Sequence, residues 1–224
     1  YEKHADAVAD KVVAGESAQG LLDSVGGSGA SQSAVQAIGD LPSGEEGFQT
    51  MWDAHPHNYQ EEEEQNTSSD ELREEQGLPS YLENTCAIRL STMLNNMGSS
   101  YRITPARAQA AGIKRRPFYT KKSRSYFILS AREMWTYLDA TFRSADATYP
   151  LSGKWKDEEE FNAAFDNGEN PIRDIISSKK GIVAFDKIFG YSGTGHVDIF
   201  DGETLSDANE WYPSQRLRLW YIVP

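Results

Sequence analysis

The chain ends on three strand-like runs in succession: GIVAFD at 181–186, GHVDIFDG at 195–202 and LRLWYIVP at 217–224. Each is apolar or alternating and is bounded by turn-forming residues. The clear helical patterns come earlier. Helices first and strands last predict an α+β fold with an antiparallel sheet.

The strongest helical signal is ENTCAIRLSTMLNNMG, residues 83–98. Cys86, Leu90, Met93, Leu94 and Met97 fall at i, i+4, i+7, i+8 and i+11, the stripe of a core-facing helix. Asn84 and Thr85 are candidate N-caps, and Gly98 closes the C-terminus. Further on, YFIL reads as a strand running into SAREMWTYLDATF. There Ser130 and Glu133 match a capping box, and Met134, Trp135, Leu138 and Phe142 mark the buried face. DEEEFNAAF reads as a short helix with acids in its first turn, where the dipole favours them.

Charge divides the chain. Residues 44–76 carry eleven acidic side chains and one Arg, whereas the stretch from Gly77 onward has 19 basic and 17 acidic residues. A like-charged block with few apolar residues buries too little surface to offset its ordering entropy, so 44–77 reads as an exposed acidic linker. Ahead of it, residues 1–43 hold Ala5, Val8, Ala9, Val12 and Val13 at helical spacing, then a Gly/Ser-rich stretch. Independent folding is expected over 78–224. The formal net charge of −12 argues against a nucleic-acid binder, which needs a basic face. No apolar run approaches the roughly 18 residues of a membrane span, and no secretory signal pattern opens the sequence.

Cys86 is the one cysteine in 224 residues, and it stands at the start of its helix. A thiol there meets the positive end of the helix dipole and unpaired backbone N–H groups, which favour a thiolate and can hold an oxyanion. A small core residue on an apolar stripe is the alternative reading. Of the four histidines, His4, His55 and His57 fall in the N-terminal segment or the acidic block, and His196 falls within the expected domain. Strand alternation puts His196, Asp198 and Phe200 on one face and Val197 and Ile199 on the other. A cysteine nucleophile needs a base that also protonates the leaving amine, a role histidine fills. The glycines flanking His196 point to a place where a ligand approaches the backbone. A metal site built on His55 and His57 with Asp53 and Glu61 is a further reading, though two histidines two apart lack a scaffold.

NTCAIRLSTMLNNMG together with GTGHVDIFDGE resembles the type VI secretion amidase effectors of the fourth family, cell-wall hydrolases of the papain-like, NlpC-type superfamily. The likeness spans about residues 78–224. It implies a nucleophile helix packed on an antiparallel sheet, and cleavage of the γ-D-glutamyl to meso-diaminopimelate bond in peptidoglycan stem peptides. It implies Cys86 as nucleophile, His196 as base and an Asp after the His strand that orients the imidazole, with no metal or organic cofactor. The family pattern favours Asp207, in LSDANEWYP. Asp198, on the face of His196, and Asp201, at a DG turn, remain candidates. Members of the family often carry extra cysteines that form a disulfide near the site, and this chain has none.

The Ala-rich N-terminus resembles short helices in toxins carried by extracellular contractile injection systems. With the acidic spacer it implies a cargo layout, in which residues 1–43 engage an injection-system tube or loading protein. The expected route is export from the cytoplasm to a target cell's periplasm and wall, with room for a cognate immunity protein. A catalytically inactive binding or structural domain of an injection system is the competing class.

Overall fold

The computed structural model describes residues 39–57, 67–150, 155, 157–166, 171–206 and 212–224. The alanine-rich run expected to be helical therefore lies outside the described residues. Among the described residues, no helix is long and apolar enough to cross a membrane.

The acidic stretch departs from expectation. Instead of an exposed linker it supplies two helices to the folded body, α1 (Gly44–Ala54) and α2 (Ser69–Gln76). Phe48 and Met51 of α1 are buried in the main core, and Leu72 of α2 is fully buried in a smaller one. The reason is geometric. Phe48, Met51, Trp52 and His55 lie at i, i+3, i+4 and i+7, so one face is apolar while Glu45, Glu46 and Asp53 project from the other. Helix α2 starts on a full capping box. Ser68 Oγ accepts the Glu71 N–H, and Glu71 accepts the Ser68 N–H at 2.8 Å. The packed unit thus begins upstream of Leu78.

Helix α3 (Cys86–Asn96) follows, with Thr85 as N-cap. It is buried from Ala87 to Asn95, so it is a central helix with little polar surface. A short α4 (Pro105–Ala110) opens on Thr104, whose side chain accepts the Arg107 N–H. The hairpin β1 (Phe118–Thr120) and β2 (Ser125–Phe127) precedes α5 (Ala131–Thr141), which Ser130 caps by accepting the Glu133 N–H. Ser91 of α3 fixes the chain after β2, accepting the Ile128 N–H at 3.0 Å.

The main sheet has four strands in the order β3-β6-β4-β5, every pair antiparallel. They are β3 (Ala147–Pro150), β4 (Lys180–Ile188), β5 (His196–Phe200) and β6 (Ser214–Val223). The three C-terminal strands match the expectation. The edge strand β3 was not legible as one. Helices α6 (Glu158–Asp166) and α7 (Pro171–Ile176) lie between β3 and β4 in the chain.

Strand alternation sorts the sheet into two cores. Ile182, Ala184, Val197, Ile199, Trp220 and Ile222 face the cluster built by α1, α3 and α5. Val183, Phe185, Phe200, Leu217 and Leu219 face Phe161, Ile172 and Ile176 of the later helices. Apolar layers on both sides explain why Gly181 to Asp186 are buried without interruption.

Candidate active site

Cys86 opens α3 and is half-buried, so its thiol is not sealed in the core. The first-turn N–H groups of Cys86, Ala87 and Ile88 lack partners within the helix by construction. The sequence brings His196 to the same place from the edge strand β5, which packs against α3.

Gly195 sets the entry to β5. Its φ of +110° suits glycine, and a Cβ there would lie 2.3 Å from the Phe185 carbonyl oxygen and 3.0 Å from the Trp135 ring. The close approach that this glycine permits is therefore to the protein's own strand β4 and helix α5. The ligand-approach reading of the flanking glycines does not describe Gly195.

His196 is 6% exposed and stacks on Tyr212, with ring centroids 4.3 Å apart. Its Nε2 is 3.6 Å from Asp198 Oδ2. Burial works against a charge on the imidazole, but hydrogen bonding to Asp198 and to Cys86 outweighs it and pushes the pKa up to about 10. The raised pKa favours the protonated ring beside Asp198 and Cys86, an arrangement suited to protonating a leaving amine.

The three candidate carboxylates fare differently. Asp198 is 1% exposed and faces His196. Asp201 serves a turn: its Oδ1 accepts the N–H groups of Glu203 at 2.9 Å and Thr204 at 2.8 Å. Asp207 lies outside the described residues.

Sequence reasoning missed His55 and His57 as parts of this region. They are 4% and 2% exposed. His55 Nδ1 is 3.0 Å from Ser206 Oγ, and His57 Nε2 is 2.7 Å from the Trp52 carbonyl. Burial, with the nearby positive charge of His57 and Arg89, holds the His55 pKa well below the ordinary histidine range. Among the described residues no group of three or more His, Cys, Asp or Glu is placed to hold a metal ion, and Glu61 lies outside the described residues. The apolar spacing of Phe48, Met51 and Trp52, continued to His55, was the available signal.

Arg89, one turn along α3 from Cys86, is 1% exposed. Its guanidinium donates to the carbonyls of Pro56 at 2.7 Å and Thr67 at 2.8 Å. The cysteine helix thus also anchors the chain on either side of residues 58–66. Tyr191, in the loop before β5, is 39% exposed, and burial together with the neighbouring Cys86 raises its phenol pKa.

These elements define an α+β fold of the papain-like, NlpC type, with a cysteine at the start of its central helix and a histidine at the start of a sheet strand. The chain belongs to the family described as type VI secretion system (T6SS), amidase effector protein 4, whose profile matches residues 82–220. Among solved structures it is similar to the type VI effector Tae4 from Enterobacter cloacae. The two are 16% identical with a TM-score of 0.50, over 81% of this chain and 96% of that one. It is also similar to the type VI effector–immunity complex Tae4-Tai4 from Salmonella Typhimurium, at 22% identity and a TM-score of 0.48, over 82% of this chain and 99% of that one. No curated protein sequence matches the chain.

Proposed function

We propose that this amidase effector cleaves the γ-D-glutamyl to meso-diaminopimelate amide of bacterial peptidoglycan stem peptides by Cys86–His196 nucleophilic catalysis. The observation that carries the reading is the His196 imidazole held between Asp198 and the Cys86 thiol. Family membership supports the amide-bond class.

The Cys86 thiolate attacks the γ-carbonyl carbon, and first-turn N–H groups of α3 receive the oxyanion. His196 gives its proton to the leaving amine as the carbon–nitrogen bond breaks, which leaves a thioester on Cys86. Water then loses a proton to His196 and adds to the thioester carbonyl; the carbon–sulfur bond breaks, the released γ-carboxylic acid gives its proton to solvent, and the thiolate–imidazolium pair is restored. An acidic third member orients the ring and stabilises the imidazolium, as in other triads; the family pattern favours Asp207 for that role, and Asp198, 3.6 Å from His196 Nε2, is the alternative.

The family places the protein in type VI secretion, and action on target bacteria follows from that role. A cognate immunity protein is a proposed partner. An injection-system tube or loading protein that engages residues 1–43 is a second.

The test uses the single thiol. Iodoacetamide should label native protein once, react faster than a free thiol near pH 6, and abolish hydrolysis in proportion to labelling. A native protein that resists the reagent until denatured would make Cys86 an inert core residue and favour an inactive binding domain.

A further inference from the structure

We infer that the β1–β2 hairpin and the segment leading into it form a docking face for the carboxylates of peptidoglycan stem peptides, separate from the Cys86–His196 site. The choice of polymer rests on the peptidoglycan reading above.

Between Glu83 and Glu133 the chain carries ten Lys or Arg and no acid, in a protein whose formal net charge is −12. The fold brings much of this charge to one hairpin. Lys114, Arg115, Arg116, Lys121, Lys122 and Arg124 are all exposed, on the approach to β1 and in the turn between β1 and β2. Lys122 has a structural duty. Its Nζ donates to the Glu74 carbonyl at 2.6 Å, in the last turn of α2, where the dipole favours a cation. The other five side chains form no ion pair among the described residues. Arg124 also has a φ of +53°, a left-handed conformation that glycine or asparagine adopts with less strain. Stability alone gives no reason for an unpaired Arg at such a position. Solubility gives none either, since the net charge is already far from zero.

The face is tied to the helix that carries the thiol. Phe118 and Phe127 of the hairpin pack with Leu72 of α2, Leu82 and Ile88, and Ile88 lies two residues beyond Cys86 on α3. Farther along α3, Asn95 donates to the Tyr126 carbonyl at 2.9 Å. Tyr119 is exposed and stacks on Tyr126 with ring centroids 4.9 Å apart, so a flat apolar surface stands among the charges.

Carboxylates suit this face for a chemical reason. A γ-linked D-glutamate keeps its α-carboxylate, meso-diaminopimelate keeps the carboxylate of its second centre, and each cleavage frees a γ-carboxylate. The polymer is thus a repeating polyanion, and a chain of net charge −12 is repelled by it except at a basic face. Such a face orients the approach and holds several stems at once while the Cys86–His196 site works on one.

The experiment combines Lys114→Gln, Arg115→Gln, Arg116→Gln, Lys121→Gln and Arg124→Gln in the full chain, leaving Lys122 in place. Binding is read by cosedimentation with purified sacculi at about 50 and about 300 mM salt, in a Cys86→Ala background that keeps the polymer intact. Hydrolysis is read in the active chain, on sacculi and on a soluble muropeptide monomer. Without the five substitutions, binding should weaken with salt and be lost on sacculi whose carboxylates have been amidated. The substituted chain should bind about 10-fold more weakly at low salt, the summed weight of five screened surface charges, and should lose most of the salt dependence. Its KM for sacculi should rise in step, while kcat and KM for the monomer stay within about twofold.

Unchanged binding in the substituted chain, equal binding to amidated sacculi, or a matching loss of monomer hydrolysis would each overturn the inference. So would tighter binding of the unsubstituted chain to a DNA duplex than to sacculi at the same salt, which would give the face to nucleic acid. If the substituted chain fails to fold, the variant with Lys114→Gln, Arg115→Gln and Arg116→Gln alone decides by the same criteria, with about a 5-fold loss expected. Charge-dependent binding with no hydrolysis of either substrate by the active chain would remove the cleavage reading and leave the docking face standing. Hydrolysis with charge-independent binding would remove the docking face alone.

Discussion

His196 Nε2 and Asp198 Oδ2 are 3.6 Å apart although the two residues are successive same-face positions on β5. Their side chains close a gap that backbone spacing sets at roughly 7 Å. Asp198→Asn should therefore lower the hydrolysis rate by about two to four orders of magnitude, the upper figure being the cost of the same change in a serine triad. Asp207→Asn is the comparison, since the family pattern favours Asp207 for the same orienting role. Asp201→Asn should loosen its turn and cost about 1 kcal/mol or less. Rates for the three variants, with circular dichroism as the folding control, check this. Collapse in Asp207→Asn with activity kept in Asp198→Asn would give the orienting role to Asp207.

The buried histidines make stability depend on pH in opposite senses. His196 has its pKa raised in the folded state, so its contribution is complete below about 6.5 and is lost as pH climbs toward about 10. His55 and His57 have theirs lowered, so their contributions are present above about 6.5 and fade as pH falls below it. Denaturation midpoints should fall on both sides of neutrality. His196→Gln should flatten the alkaline side up to pH 10, beyond which buried tyrosines such as Tyr137, pushed up to about 12, add their own slope.

Gly195→Ala tests the entry to β5. The added methyl would meet the Phe185 carbonyl at 2.3 Å in a backbone conformation that L residues rarely adopt. A loss of about 1–3 kcal/mol is expected, together with a fall in kcat, because His196 is the next residue. Thermal melting and initial rates measure the two effects separately.

Met51→Ala examines whether the acidic segment belongs to the folded unit. Met51 is fully buried in the core shared with α3. The substitution should cost about 2–5 kcal/mol, visible as a lower denaturant midpoint. An unchanged midpoint would return residues 44–54 to the status of a linker.

Much of the fold was legible because its signals are local. The α3 stripe, the Ser130 cap and the alternation in β5 each need only a short window of sequence. Charge misled at 44–77, since counting Glu and Asp hid the apolar face of Phe48, Met51 and Trp52. Strand β3 was missed because four residues ending in Pro150 carry little pattern, and its pairing is with the distant β6. At the site, Cys86 and His196 stood out because one cysteine and one histidine fell in the expected domain. The link from His55 to Ser206 spans 151 residues, and no local pattern announces such a contact.

The most direct measurement is the mass of fragments released from purified peptidoglycan sacculi by the wild-type chain and by Cys86→Ala. The account predicts stem peptides cut between D-glutamate and meso-diaminopimelate, with a new amine on the diaminopimelate and a free γ-carboxylate on the glutamate, and no such fragments with Cys86→Ala. Cleavage at another bond, or the same fragments from Cys86→Ala, would contradict it.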